Sequence, residues 1–130
     1  MNEEFKVEVV NPDKLFLSME NAIEVIVPAF EGEMGILRDH ISIISFLKPG
    51  IITICTKSTK QKYYIEDGIV EFKNNSLSIL TSSIFNVQDL EKNQVQELLT
   101  AAENQLDKTK VSDQSKFLID QKIEVLRSIN

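Results

Sequence analysis

SIFNVQDLEKNQVQELLTAAENQL, residues Ser83 to Leu106, is where the chain changes its period. Val95, Leu98, Leu99, Ala102 and Leu106 follow the i, i+3, i+4, i+7, i+11 stripe of an amphipathic helix. Asn86, with Asp89 three residues later, is a candidate cap for its start, a loose relative of the capping box. A polar break runs from Asp107 to Ser115, within which Ser112 or Asp113 can cap a second helix. Leu118, Ile119, Lys122, Ile123, Leu126 and Ile129 line one face of that helix. No proline or glycine occurs after Ser83. Two amphipathic helices with a short polar link predict an antiparallel hairpin, each helix carrying a stripe to bury.

Working back from Ser83, the period is that of β-structure. Phe5, Val7 and Val9 alternate with Lys6 and Glu8, as in a half-buried strand. The turn Asn11-Pro12-Asp13 leads to Leu15-Phe16-Leu17. Ile23, Val25 and Val27 alternate with Glu24, and Pro28 is expected to end that run. Ile41 to Phe46, Ile51 to Thr56 and Tyr63 to Ile65 are β-branched or aromatic runs between turn residues. Lys48-Pro49-Gly50 presets a turn, and Asp67-Gly68 can make a tight corner. Asn74-Asn75 separates Val70 and Phe72 from Leu77 and Ile79 as a hairpin turn would. Many short strands at close spacing predict a sandwich or barrel. The stretch FEGEMGILRDH, Phe30 to His40, is expected to be a tight crossover whose two glycines allow positive φ.

Composition sets outer limits. A chain of 130 residues with 42% hydrophobic content can form one core without staples. The net charge of −6 argues against duplex nucleic acid, which needs a cationic face. A single cysteine, Cys55, excludes an internal disulfide and fits a reducing compartment. The acidic start MNEEFKVEVV lacks the basic, apolar pattern of a signal peptide. The apolar runs fall far short of the ~20 residues that span a bilayer. A soluble, intracellular chain is expected.

No catalytic constellation stands out. His40 is flanked by Asp39 and followed by Ser42, but sequence neighbours rarely reach opposite imidazole nitrogens, as a Ser-His-Asp triad requires. One His and one Cys make no zinc set. Glu31, Glu33 and Asp39 lack the spacing of a calcium loop. Gly32 and Gly35 precede Ile36 and Leu37 rather than the GK[ST] of a phosphate loop. Cys55 sits mid-strand as a small core residue. The helical region carries six bases against eight acids, so it forms no basic membrane stripe. The residues point to a non-enzymatic binding or adaptor module without metal or cofactor. A stand-alone enzyme or sensor would need a convergent polar site.

The ordered set VEVVNPDKLFLS, IEVIVP, EGEMGIL-x-x-H, LKPGIITI, YYIEDGIVEF and LSIL, covering Val7 to Phe85, resembles the ε subunit of rotary F-type ATP synthases. The resemblance implies an α+β fold: a flattened β-sandwich of about ten strands over residues 1–86, then a two-helix hairpin over 87–130. It implies a rotor, or central-stalk, subunit of a proton-translocating synthase, joining the γ subunit to the membrane c-ring. It implies a non-catalytic chain held peripherally on the cytoplasmic face of a bacterial inner membrane. The lack of a transit peptide favours a bacterium. Carried over by the E-G-E-x-G…H pattern, Glu31 and Glu33 would face the c-ring and His40 would face γ. Where the family carries Pro-Gly before that histidine, this chain has Arg38-Asp39.

In the family the hairpin is a regulatory element that can leave the sandwich and reach the α and β subunits. Some members hold it down by binding ATP at an I/L-D-x-x-R-A motif. Here that motif is degenerate: Leu90 and Glu91, then Gln94 and Val95. Without the arginine a phosphate partner is lost, so weak or no ATP binding is expected. The alternative reading is a β-sandwich adaptor that grips a protein partner through its helical hairpin.

Overall fold

The alternating apolar residues of the first half become ten strands in a computed structural model that describes residues 2–107 and 112–129. They are β1 (Phe5–Asn11), β2 (Lys14–Ala22), β3 (Glu24–Ala29), β4 (Gly32–Ile36), β5 (Ile43–Leu47), β6 (Gly50–Cys55), β7 (Lys60–Ile65), β8 (Gly68–Lys73), β9 (Ser76–Leu80) and β10 (Ile84–Asn86). A short 3-10 turn, Val87–Asp89, leads to α1 (Lys92–Asp107) and α2 (Asp113–Ile129).

The strands form one continuous sheet in the order β10-β7-β6-β3-β5-β8-β9-β1-β2, with β4 added to β3. The sheet folds over at β3, whose first half pairs with β6 through Glu24↔Cys55 to Ile26↔Thr53 and whose end pairs with β5 through Ala29↔Leu47. Two layers result. Their inward residues, among them Val7, Val25, Ile54, Val70, Phe72 and Leu77, make one fully buried cluster. Edge-on aromatic pairs, Phe5 with Phe72 and Phe16 with Tyr63, both at 5.7 Å between centroids, help to fill it.

Turn chemistry behaves as the sequence reading expects at Asn74-Asn75. Both residues are left-handed (φ 53° and 57°), the signature of a type I′ turn, and β8 and β9 close with Lys73↔Ser76. Ser112 Oγ accepts from the Ser115 N–H at 3.1 Å and caps α2. The link residues 108–111 lie outside the described residues.

Three expectations need correction. The stretch from Phe30 to His40 is not wholly loop: Gly32 to Ile36 pairs with β3 from Ala29↔Gly32 to Val25↔Ile36. Of its two glycines only Gly32 (φ 135°) takes the left-handed region; Gly35 does not, and a Cβ on it would meet only Glu24 Oε2, at 3.6 Å. Pro28 does not end its strand. It lies where β3 passes from β6 to β5, so its missing N–H interrupts neither ladder, and its carbonyl accepts from Lys48 N at 3.0 Å. Asn86 caps the 3-10 turn, accepting from Gln88 N, rather than the long helix. The cap of that helix is Glu91, whose carbonyl accepts from Val95 N and whose N–H donates to Gln94 Oε1 at 2.9 Å, the return half of a capping box.

The hairpin lies on the outer face of β6, β7 and β10. Val95, Leu99 and Ala102 from α1 and Ile123 and Leu126 from α2 bury Tyr64, with Ile51 and Phe85 beside it. The Tyr64 ring stacks on Phe85 at 6.1 Å. The Tyr64 hydroxyl donates to Glu66 Oε2 at 3.0 Å, and Lys122, the cation within the α2 stripe, reaches the same oxygen at 3.6 Å. Burial, then the Glu66 charge and its hydrogen bond, push the Tyr64 phenol far above its ordinary range.

Candidate functional site

The residues grouped in FEGEMGILRDH are pulled apart by β4. Glu31 is exposed on the β3–β4 turn, beside Phe30, whose N–H donates to Phe46 O on β5 at 3.3 Å. Glu33 is exposed two residues on, opposite Pro28. It borders a cleft of about 290 Å³ with Thr53 and Lys62 of the sheet and Ser128 and Ile129 of α2. His40 lies at the other end of the sandwich, near the β8–β9 turn. Its ring stands edge-on to Phe72 at 5.9 Å, its Nδ1 is 2.8 Å from the Ile41 carbonyl, and its N–H donates to Leu37 O.

These contacts leave no relay. The Asp39 carboxylate accepts from Asn75 Nδ2 at 3.0 Å, and His40 Nδ1 is engaged by a backbone carbonyl. Among the described residues no three His, Cys, Asp or Glu side chains gather as a metal site. The four degenerate motif positions have local roles. Glu91 and Gln94 start α1, Val95 is buried, and Leu90 packs beside it.

The feature that sequence reading missed is on the opposite outer face from the hairpin. Cross-strand neighbours Phe46↔Ile69, Ile69↔Leu80, Leu80↔Val10 and Val10↔Leu15 form an apolar row across β5, β8, β9, β1 and β2. At a strand spacing of about 4.8 Å the row is about 19 Å long. Phe46 is 64% exposed, and Ile44, on the same face of β5, is 71% exposed. Phe46, Ile69 and Leu80 of the row line an apolar groove of about 480 Å³. Its rim is stiffened by Asp67, which accepts from the Ser82 N–H (3.0 Å) and hydroxyl, while Thr81 Oγ1 donates to the Asp67 carbonyl at 2.7 Å. The signal was in the run Ile41 to Phe46: apolar residues at both parities imply a strand with two apolar faces, one of them outward. The matching row on the other layer, Ile51↔Tyr64↔Phe85, is the one α1 and α2 cover.

A sandwich with one apolar outer row capped by its own helices and the other exposed has the surface of a protein-binding module. Residues 4–87 match the family model described as ATP synthase, Delta/Epsilon chain, beta-sandwich domain. The ATP synthase epsilon chain of Pelagibacter ubique (strain HTCC1062) is 65% identical over 130 residues, covering 100% of both chains. That of Rhizobium leguminosarum bv. trifolii (strain WSM2304) is 31% identical over 114 residues, 87% of this chain and 84% of its own. The chain belongs to the ATP synthase epsilon-chain family, and it is a non-catalytic subunit of that complex, peripheral to its membrane part.

Solved structures share the fold. A chain in the cryo-EM structure of the Euglena gracilis mitochondrial ATP synthase (OSCP/F1/c-ring, rotational state 1) superposes with TM-score 0.75 at 18% identity, over 95% of this chain and 78% of that one. One in the Tetrahymena thermophila central stalk/c-ring structure gives 0.69 at 14% identity, over 95% and 93%. Among the described residues no helix is long and apolar enough to cross a membrane.

Proposed function

We propose that this chain is the rotor subunit that joins γ to the c-ring of a proton-translocating F-type synthase, on the cytoplasmic face of a bacterial inner membrane. The observation that carries the reading is the bare apolar row. An exposed strip of Phe46, Ile69, Leu80 and Leu15 is costly in water and is relieved by a permanent partner, here γ. His40, at the far end of the same layer, adds a polar contact to that partner. Glu31 and Glu33, on the end that carries the β3–β4 turn, face the polar loops of the c-ring. Residues 1–86 act as the rotor foot, and residues 87–130 are a separable hairpin that regulates hydrolysis through α and β when it leaves Tyr64. The adaptor reading is weaker because the hairpin's apolar stripe is already occupied by the sandwich.

The test is co-elution with the purified αβγ head of the same organism, at one copy per γ. Phe46→Asp, at an exposed position, keeps the circular dichroism spectrum and weakens binding at least about 30-fold, the loss of one interface anchor. Glu33→Ala retains binding to the head and weakens association only when the c-ring is present. Retention of full affinity by Phe46→Asp moves the interface off this face, and failure of the wild-type chain to co-elute rejects the stalk reading.

A further inference from the structure

We infer that Arg38, Asp39 and Asn75 are positioning residues that hold His40 as its Nδ1–H tautomer, with Nε2 kept as the acceptor for a donor on the partner surface. The inference rests on the proposed role of His40 as a partner contact. Asp39 takes a left-handed φ of 67°, which disfavours a residue with a Cβ unless neighbours compensate. Here they do, across 36 residues of sequence. The Asp39 N–H donates to Asn75 Oδ1 at 2.7 Å, and Asn75 Nδ2 donates back to Asp39 Oδ1 at 3.0 Å. Asn75 is itself fixed in the type I′ turn, and its carbonyl accepts from Lys6 N at 3.1 Å. Arg38 Nη1 donates to the Glu4 carbonyl at 2.6 Å. Side chains 38, 39 and 75 thus tie three separate segments together at the end of the sandwich where His40 sits.

The consequence for the imidazole follows from hydrogen-bond roles. A carbonyl only accepts, so the 2.8 Å contact from the Ile41 carbonyl places the proton on Nδ1. In the neutral ring Nε2 is then an acceptor only. The edge-on packing against Phe72 and the Leu37 carbonyl's bond to the His40 N–H set the ring's direction. None of the three clamp bonds adds buried apolar surface, so their removal changes the turn without dismantling the core.

The experiment uses the full chain labelled with 15N. Long-range imidazole correlations report the tautomer in the free protein, and titration with the αβγ head reports affinity. Asn75→Ala loses the single Nδ1–H signature for an average of both tautomers, with affinity down about tenfold, as for one lost hydrogen bond. Asp39→Asn, which keeps an acceptor oxygen for Asn75 and tolerates the left-handed region, retains both the signature and the affinity of the wild type. Asp39→Gly relieves the backbone and still loses the tautomer signature, because it lacks the side-chain oxygen. An unchanged tautomer in Asn75→Ala overturns the inference. His40→Ala tests the underlying reading separately: unchanged affinity there removes His40 from the interface, whatever its tautomer.

Discussion

Leu126→Ala should release the hairpin while leaving the sandwich folded. Leu126 is fully buried, and its neighbours in the cluster are Tyr64 on one side and Val95, Leu99 and Ala102 on the other. Truncating a buried leucine costs about 2–5 kcal/mol, through lost transfer energy and the cavity left behind. Two helices on a sheet collapse more readily than a closed core, so we take about 3 kcal/mol, which multiplies the undocked population about 150-fold. The Glu66–Lys122 pair at the edge is partly solvated and offsets little of this. Native-state hydrogen exchange is the assay. Amides of Ile123 and Leu99 should exchange about 150-fold faster, while those of Val7 and Val70, in the other cluster, keep their protection. Equal losses of protection in strands and helices would refute the reasoning, because the two clusters would then open only together.

Gly50→Ala should destabilise the sandwich by about 3 kcal/mol, since a Cβ there would lie 2.5 Å from Pro28 Cβ, the closest approach at any of the four glycines. Urea denaturation checks this, and a shift under 1 kcal/mol contradicts it. The Tyr64 phenol, held above its ordinary 10.0 by burial first and by Glu66 second, titrates in the unfolded chain before the folded one. Its contribution is therefore complete below pH 10 and falls away as pH rises beyond it. Tyr64→Phe should lose less stability than wild type between pH 8 and 11, the remaining slope coming in part from Tyr63, which burial also raises; equal losses would exonerate Tyr64. ATP should bind the isolated chain with a dissociation constant above about 100 µM by calorimetry, because Glu91 and Gln94 are spent on starting α1 and offer no cation to a phosphate.

Much of the architecture is legible because it is local. The switch from period two to the helical stripe at Val95, the left-handed pair Asn74-Asn75 and the Ser112 cap are each written within a few residues, and each holds in three dimensions. Where the reading fails, a distant partner intervenes. Pro28 stays in its strand because β5 and β6 divide it between them, and Gly32–Ile36 becomes a strand because β3 offers an edge. The polar start of β7, Lys60-Gln61-Lys62, shows no alternation because it is exposed on both faces.

The candidate site divides in the same way. Sequence alone supplied the helical hairpin with its apolar stripes, the run of strands, the lack of a convergent catalytic set, and a pattern that singled out Glu31, Glu33 and His40. Only the tertiary structure decided that Phe46, Ile69, Leu80, Val10 and Leu15 stand in one row, that the helices cover the other layer, and that β4 separates Glu31, on the β3–β4 turn, from His40, near the β8–β9 turn. The reason is that periodicity records which residues must leave water, whereas pairing between strands far apart in sequence determines which of them meet, and which are left for another chain to cover.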